Sequence, residues 1–247
     1  MAIFKNENDG VLTFKDLDPQ LERLTPKEYE DLDVPESDAV TGYDFLIPAI
    51  GEKEWDGHIY ISGATGAGKS YMINKLVMND RKKRMFFLFT NLEDPDTTLA
   101  QAYKTRRLKR YRDKSRKAID VDLKFLKEHK KGSVMIFDDC DSDNREFSAF
   151  RDRVLEKGRH DDIMVICVNH KLRDHEASKK ALNESRYVIA FPSSNRGAVN
   201  GFMKDRMEMG TKQRKAILKR SIRDGRHIVF HMFHPNMIAT AKSIIKI

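Results

Sequence analysis

The sequence predicts an α/β fold built on a doubly wound, mostly parallel sheet. Three observations carry this. An octapeptide, Gly63-Ala64-Thr65-Gly66-Ala67-Gly68-Lys69-Ser70, matches the pattern G-x-x-x-x-G-K-[ST] at every position. It lies between a short apolar run, His58–Ile61, and a helix-like stretch, Tyr71–Asp80. Downstream, near-continuous apolar runs alternate with segments of helical apolar spacing or high charge, as expected for strands buried on both faces.

Taken from the N-terminus, residues 1–50 read as an acidic, largely irregular arm, and residues 51–247 as one P-loop domain. Pro19, Pro26 and Pro35 interrupt the arm, and its apolar residues, such as Leu21, Leu24 and Leu32, are isolated. The first strand then delivers the chain into the octapeptide. Glycines there let backbone N–H groups curl around a phosphate chain, and the helix that follows adds positive potential at its N-terminus. Gly63, Ala64, Thr65, Gly66, Ala67, Gly68, Lys69 and Ser70 are therefore the candidate nucleotide-binding residues. Lys69 is expected to reach the β- and γ-phosphates, and the Ser70 hydroxyl to ligate Mg²⁺. A chance glycine turn before a helix would satisfy fewer of these positions.

A second strand is expected over Met85–Thr90. Between it and the third lies Lys104–Lys117, with nine basic residues and one acidic. Arg106, Arg107, Lys109 and Arg110 at its centre would neutralise phosphates without reading sequence, and Tyr111 could stack or pack against sugar. A solvated helix face explains such a run equally well. A second stretch, Lys204–Arg226, holds nine basic and three acidic residues and competes for the same role.

Ser133–Phe137 is an apolar strand closing on Asp138-Asp139. It is expected beside the P-loop strand, which would bring both carboxylates to the γ-phosphate. Asp138 is assigned to Mg²⁺ and Asp139 to polarising the attacking water. An acidic turn alone would look similar; the full P-loop upstream gives the pair its meaning. The next run, Ile163–Val168, ends in Asn169-His170. Asn169 is a candidate sensor of the γ-phosphate or the lytic water, or a simple strand-end cap. Before that run stands Gly158-Arg159-His160. Arg159 is a candidate finger reaching a neighbouring subunit's nucleotide, with Arg151 and Arg153 as competitors and an exposed helix-end arginine as the plain alternative. Tyr187–Phe191 gives another strand. His227–Phe233 partly alternates and reads as an antiparallel edge strand.

The net charge of +8 is uneven. Residues 1–57 hold 15 acidic and 5 basic side chains, a balance of −10, so the rest of the chain carries +18. A core this basic favours a polyanionic partner, nucleic acid first, although basic surfaces also serve solubility. No apolar run approaches the roughly 20 residues of a membrane helix. Met1–Lys5 lacks the form of a signal peptide. Cys140 and Cys167 lie in or beside apolar runs and read as buried, reduced thiols.

The order of P-loop, F-x-D-D strand end, Gly158-Arg159-His160 before a strand closing on a polar amide, and Tyr187–Pro192 resembles one family. It looks like the genome-packaging ATPases of double-stranded DNA viruses in the FtsK–HerA superfamily, in the branch of poxviruses and tailless, membrane-containing phages. The resemblance covers roughly residues 55–235. It implies a RecA-like P-loop NTPase fold, with ATP and Mg²⁺ as cofactors. It also implies a pentameric or hexameric ring that threads double-stranded DNA into a preformed capsid, with capsid-vertex or virion-membrane proteins as partners. The location implied is the virion or the host cytoplasm. On this resemblance Lys69, Ser70, Asp138 and Asp139 take the nucleotide roles, Asn169 the sensor and Arg159 the finger. Asp139 departs from the family, where Glu is frequent. A small-molecule kinase and a non-hydrolysing nucleotide-binding assembly factor are the competing functions.

Overall fold

The computed structural model describes residues 4–5, 11–12, 57–79, 84–90, 97–100, 108–111, 132–139, 145–172, 176–233, 237–240 and 244–246. Most of the expected arm, Cys140 and most of 104–117 lie outside these residues. Within the arm, Phe4–Lys5 pairs antiparallel with Val11–Leu12.

The domain is organised by one sheet whose strands are β1 (His58–Ser62), β2 (Phe86–Thr90), β3 (Leu108–Tyr111), β4 (Val134–Asp138), β5 (Met164–Asn169), β6 (Ser185–Ala190), β7 (Ile228–His231), β8 (Met237–Ala239) and β9 (Ile244–Lys246). Their spatial order is β9-β8-β7-β6-β1-β5-β4-β2-β3. From β6 across to β3 every neighbouring pair is parallel. From β6 through β9 the pairs are antiparallel.

Three points differ from the sequence reading. The strand bearing Asp138 is not beside the P-loop strand. β1 pairs with β5 and β6, and β4 sits on the far side of β5. The run from His227 supplies an antiparallel strand as expected, but β8 and β9 extend the sheet beyond it, so the C-terminal edge is Ile244–Lys246. Leu108–Tyr111, within the basic run, is an edge strand paired with β2. Its charged sequence carries no apolar signal, because only its backbone pairing defines it.

Among the described residues the helices are α1 (Lys69–Asn79), α2 (Arg145–Lys157), α3 (Glu176–Glu184), α4 (Pro192–Asp205) and α5 (Thr211–Asp224). Every residue of β1, β2, β4 and β5 is buried. The two-residue side-chain period then sends alternate residues into two separate cores. Ile59, Ile61, Leu88, Ile136 and Ile166 face Ile73, Leu76 and Val77 of α1. Tyr60, Phe87, Phe89, Phe137 and Val165 face the other layer, where Phe150, Val154, Phe202 and Ile217 pack. Phe89 and Phe137 stack with centroids 4.9 Å apart, and Phe150 meets Phe137 edge-on. This sandwich fixes β4 against α2 and so the place where Asp138 emerges.

His227, just before β7, is buried, and burial pushes its pKa down from 6.5 to about 4. The imidazole is neutral in the fold and must release any proton to fold. Between those values the unfolded chain binds more protons, so stability falls as pH drops from 6.5 towards 4. At pH 5 the loss relative to neutral pH is about 2 kcal/mol for this group. His227→Phe should flatten that part of the profile. Urea denaturation at pH 7 and pH 5 checks it: equal pH sensitivity in wild type and variant would rule the effect out.

Candidate nucleotide-binding and hydrolysis site

The site forms along one line of strand ends. Ser62 of β1 is in register with Asn169 of β5 and Ala190 of β6, and Asp138 of β4 with Val168 of β5 and Thr90 of β2. Parallel strands ending together leave a crevice at their carboxyl ends, where ligands of such sheets bind. The carboxylates therefore reach the P-loop side although β5 separates β4 from β1.

The loop leaves β1 at Gly63, whose N–H donates to Asn169 O at 3.2 Å. A Cβ at Gly63 would stand 2.9 Å from Phe191 Cδ2 and 3.0 Å from Ala67 Cβ. Only glycine passes between these groups. Phe191 is held in turn by its own N–H, which donates to Ser62 O at 3.2 Å. Ala67 N–H closes a turn onto Ala64 O at 3.1 Å, and Met72 N–H to Gly68 O at 3.0 Å starts α1. Gly68 has φ of +112°, a region closed to other L-residues. The loop is thus a rigid hoop whose backbone opens onto the N-terminus of α1.

Lys69 is buried. Its ammonium donates to Gly63 O at 2.8 Å and Ala64 O at 3.4 Å, and to His170 Nδ1 at 3.2 Å. His170 Nε2 lies 2.9 Å from Asp139 Oδ2. Desolvation lowers the Lys69 pKa from its ordinary value, while Asp139 and then Asp138 act to raise it. Asp138 is buried at the end of β4. Asp139 follows with φ of +50°, a left-handed conformation that Asp tolerates better than most residues, and its N–H donates to Val168 O at 3.0 Å. The structure therefore brings Lys69, Asp138 and Asp139 together, and adds His170 between them.

Sequence reading gave His170 no role. Its link to Lys69 spans 101 residues, and nothing local announces it. Asn169 is buried, and its Oδ1 accepts from Lys171 N–H at 3.2 Å, capping the strand end. Arg151 is buried and pairs with Asp152, with Nη2 3.0 Å from Oδ1. Arg159 sits in the single turn Gly158–Asp161 after α2; its side chain lies outside the described residues. Gly158 fits that turn because a Cβ would come 2.8 Å from Ile163 O. The side chains of Arg106, Arg107, Lys109 and Arg110 also lie outside the described residues.

Beside the loop tip is a cavity of about 340 Å³. Gly66 and Ala67 bound one side, Pro192 and Ser193 another, and Ile222 and Arg226 near the end of α5 a third. Cys167 is buried on β5. Among the described residues no helix is long and apolar enough to cross a membrane.

No family model matches the chain. The chain is 24% identical over 173 residues to the uncharacterized protein V3 of Sputnik virophage, spanning 65% of this chain and 66% of that one. Among solved structures, it matches B204, the DNA-packaging ATPase from Sulfolobus turreted icosahedral virus, with a TM-score of 0.54 and 15% identity over 78% of this chain and 98% of that one. B204 of Sulfolobus turreted icosahedral virus 2, solved with ATP-gammaS, gives a TM-score of 0.48 at 14% identity over 78% and 98%. EssC ATPases 2 and 3 from Geobacillus thermodenitrificans give 0.45 at 16% identity, covering 55% of this chain and 32% of that one.

Gly63→Ala should cost about 1–3 kcal/mol of stability, as overpacking does. It should also weaken ATP binding about tenfold by tilting the hoop. Phe191→Leu in the same chain should recover part of both losses. Calorimetric titration with ATP checks this; wild-type affinity in Gly63→Ala would remove Phe191 as the template of the loop. The fold is that of a P-loop NTPase, and it is shared with a viral DNA-packaging ATPase.

Proposed function

We propose that this chain hydrolyses ATP to move double-stranded viral DNA into a preformed capsid, as a member of the FtsK–HerA superfamily. The observation that carries the reading is the convergence of Lys69, Asp138 and Asp139 on a complete P-loop. A small-molecule kinase needs a pocket for its acceptor beside the γ-phosphate. In this reading Asp139 stands there instead, a carboxylate suited to water.

In this mechanism the backbone N–H groups of residues 63–70 cradle the triphosphate, and Lys69 turns to the β- and γ-phosphates. The nucleoside lies toward the cavity beside Gly66 and Ala67. The Ser70 hydroxyl and the Asp138 carboxylate are hard oxygen donors, and they suit Mg²⁺, which binds through few protein ligands plus phosphate oxygens. That ion would neutralise phosphate charge. Asp139 accepts the proton of the attacking water as its oxygen bonds to the γ-phosphorus and ADP leaves. Asn169 acts as sensor from the end of β5. Arg159 is the finger supplied to the neighbouring subunit of a five- or six-membered ring. The ring engages capsid-vertex or virion-membrane proteins, in the virion or the host cytoplasm.

ATPase activity measured against protein concentration, with and without linear duplex DNA, tests this reading. Turnover should rise with assembly and with DNA. A requirement for a small acceptor would mean a kinase; binding with no turnover under any of these conditions would mean an assembly factor. Lys69→Ala should abolish turnover in a folded chain. Asp139→Asn should keep binding and lose turnover by about 10²-fold or more. Asp138→Asn should instead weaken Mg²⁺-dependent binding. Reversed behaviour of the two aspartates would swap their roles.

The basic run gives a separate expectation. Neutralising Arg106, Arg107, Lys109 and Arg110 together should weaken binding to all duplex sequences alike. Each lost phosphate contact should remove roughly 0.9 from the slope of log affinity against log salt. An unchanged slope in a filter-binding series would move the contact to Lys204–Arg226.

A further inference from the structure

The geometry points to His170 as a positioning residue that couples phosphate at Lys69 to the orientation of Asp139. This rests on the hydrolytic reading above and deepens it.

The direction of the hydrogen bonds follows from chemistry. A lysine ammonium only donates, so His170 Nδ1, 3.2 Å away, accepts and carries no proton. The ring proton is then on Nε2, which donates to Asp139 Oδ2 at 2.9 Å. One imidazole therefore reads Lys69 with one nitrogen and holds the carboxylate with the other.

His170 is held where it can do this. On one side Asn169 O accepts from Gly63 N–H, and Asn169 Oδ1 accepts from Lys171 N–H. On the other, Lys171 O accepts from the Tyr60 hydroxyl at 2.6 Å. The peptide bearing His170 is pinned to β1 and to the start of the loop. Its side chain remains 43% exposed, open to the crevice. Asp139 is fixed at its backbone by the bond to Val168 O. His170 Nε2 holds one oxygen of its carboxylate, Oδ2.

Lys69 has three N–H donors and three protein acceptors within 3.4 Å: Gly63 O, Ala64 O and His170 Nδ1. A phosphate oxygen can bind Lys69 only in exchange for one of them. Two belong to the hoop that itself wraps phosphate. The third, His170 Nδ1, belongs to a side chain that is 43% exposed. When Lys69 turns to phosphate, the imidazole loses its donor at Nδ1, and its hold on Asp139 is reset in the same movement. The carboxylate is thus aligned according to whether a phosphate is present.

Two substitutions separate this from a packing role. His170→Leu removes both polar contacts. His170→Gln keeps one acceptor and one donor at the two ends of its amide. Steady-state kcat and KM, with ATP-gammaS affinity by calorimetry, are the readouts. His170→Leu should lower kcat about tenfold or more, the scale of losing a partner that orients a catalytic group, while affinity changes less than about threefold. His170→Gln should recover several-fold of the lost kcat. His170→Leu with Asp139→Asn should be no slower than Asp139→Asn alone, since the effect passes through Asp139. Equal kcat in the Leu and Gln variants overturns the coupling, and so does a double variant about tenfold slower than Asp139→Asn. A raised KM with intact kcat also overturns it, making His170 a phosphate ligand. If Asp139→Asn stops turnover while His170→Leu runs as wild type, the coupling fails and the hydrolytic reading stands. If Asp139→Asn turns over as wild type, the hydrolytic reading fails and takes the coupling with it. Should His170→Leu not fold, the Gln variant and the Asp139→Asn pairing with it carry the same comparison.

Discussion

Burial of β1 on both faces, with a parallel neighbour hydrogen-bonded on each side, is the constraint on which the rest depends. A strand so enclosed offers no side chain to solvent; His58 to Ser62 are all buried. Its chemistry is displaced to its carboxyl end, where Gly63 begins the hoop. The same holds for β4 and β5, whose only acidic and amide residues stand last in each strand. Because the parallel register aligns these ends, Ser62, Asn169 and Asp138 arrive together without any loop having to reach for them. The apolar sandwich, worth about 25 cal/mol per Å² removed from water, supplies the rigidity that holds the polar groups in line.

The parts of this arrangement that were legible in the sequence are those whose cause is local. The octapeptide carries its own conformation, and strands buried on both faces show as apolar runs. The acidic pair after Phe137 was legible for the same reason. Strand order was not, because pairing is non-local: nothing in Ile163–Val168 states that it separates the Asp138 strand from the P-loop strand. Leu108–Tyr111 was hidden by its charge, since a strand defined by backbone pairing at an edge needs no apolar signature. Met237–Ala239 and Ile244–Lys246 are too short to stand out. His170 was invisible because its meaning lies in two partners far away in sequence, Lys69 and Asp139.

Gly63 illustrates how a motif position acquires a physical reason only in the fold. The pattern demands glycine, and the usual account is backbone freedom. Here the requirement is space: the ring of Phe191 lies where a Cβ would go. Phe191 is anchored to Ser62 O, so β6 shapes a loop that grows from β1. The segment after β6 then turns at Pro192 into α4, which borders the cavity with the end of α5. Movement of α4 would therefore be felt at the hoop through Phe191, which stands against Gly63, rather than through Lys69.

Lys69 balances two opposing effects. Burial favours the neutral amine, and the neighbouring carboxylates favour the charged form. Negative charge added beside it would act in the same direction as the two carboxylates. The choice of Asp at position 139 fits the same economy of reach. A glutamate would carry its carboxylate one methylene further, into the place where His170 Nε2 stands 2.9 Å from Asp139 Oδ2. The shorter side chain leaves room for the imidazole to bridge carboxylate and ammonium. Asp139 and the histidine after Asn169 are thus two halves of one geometry.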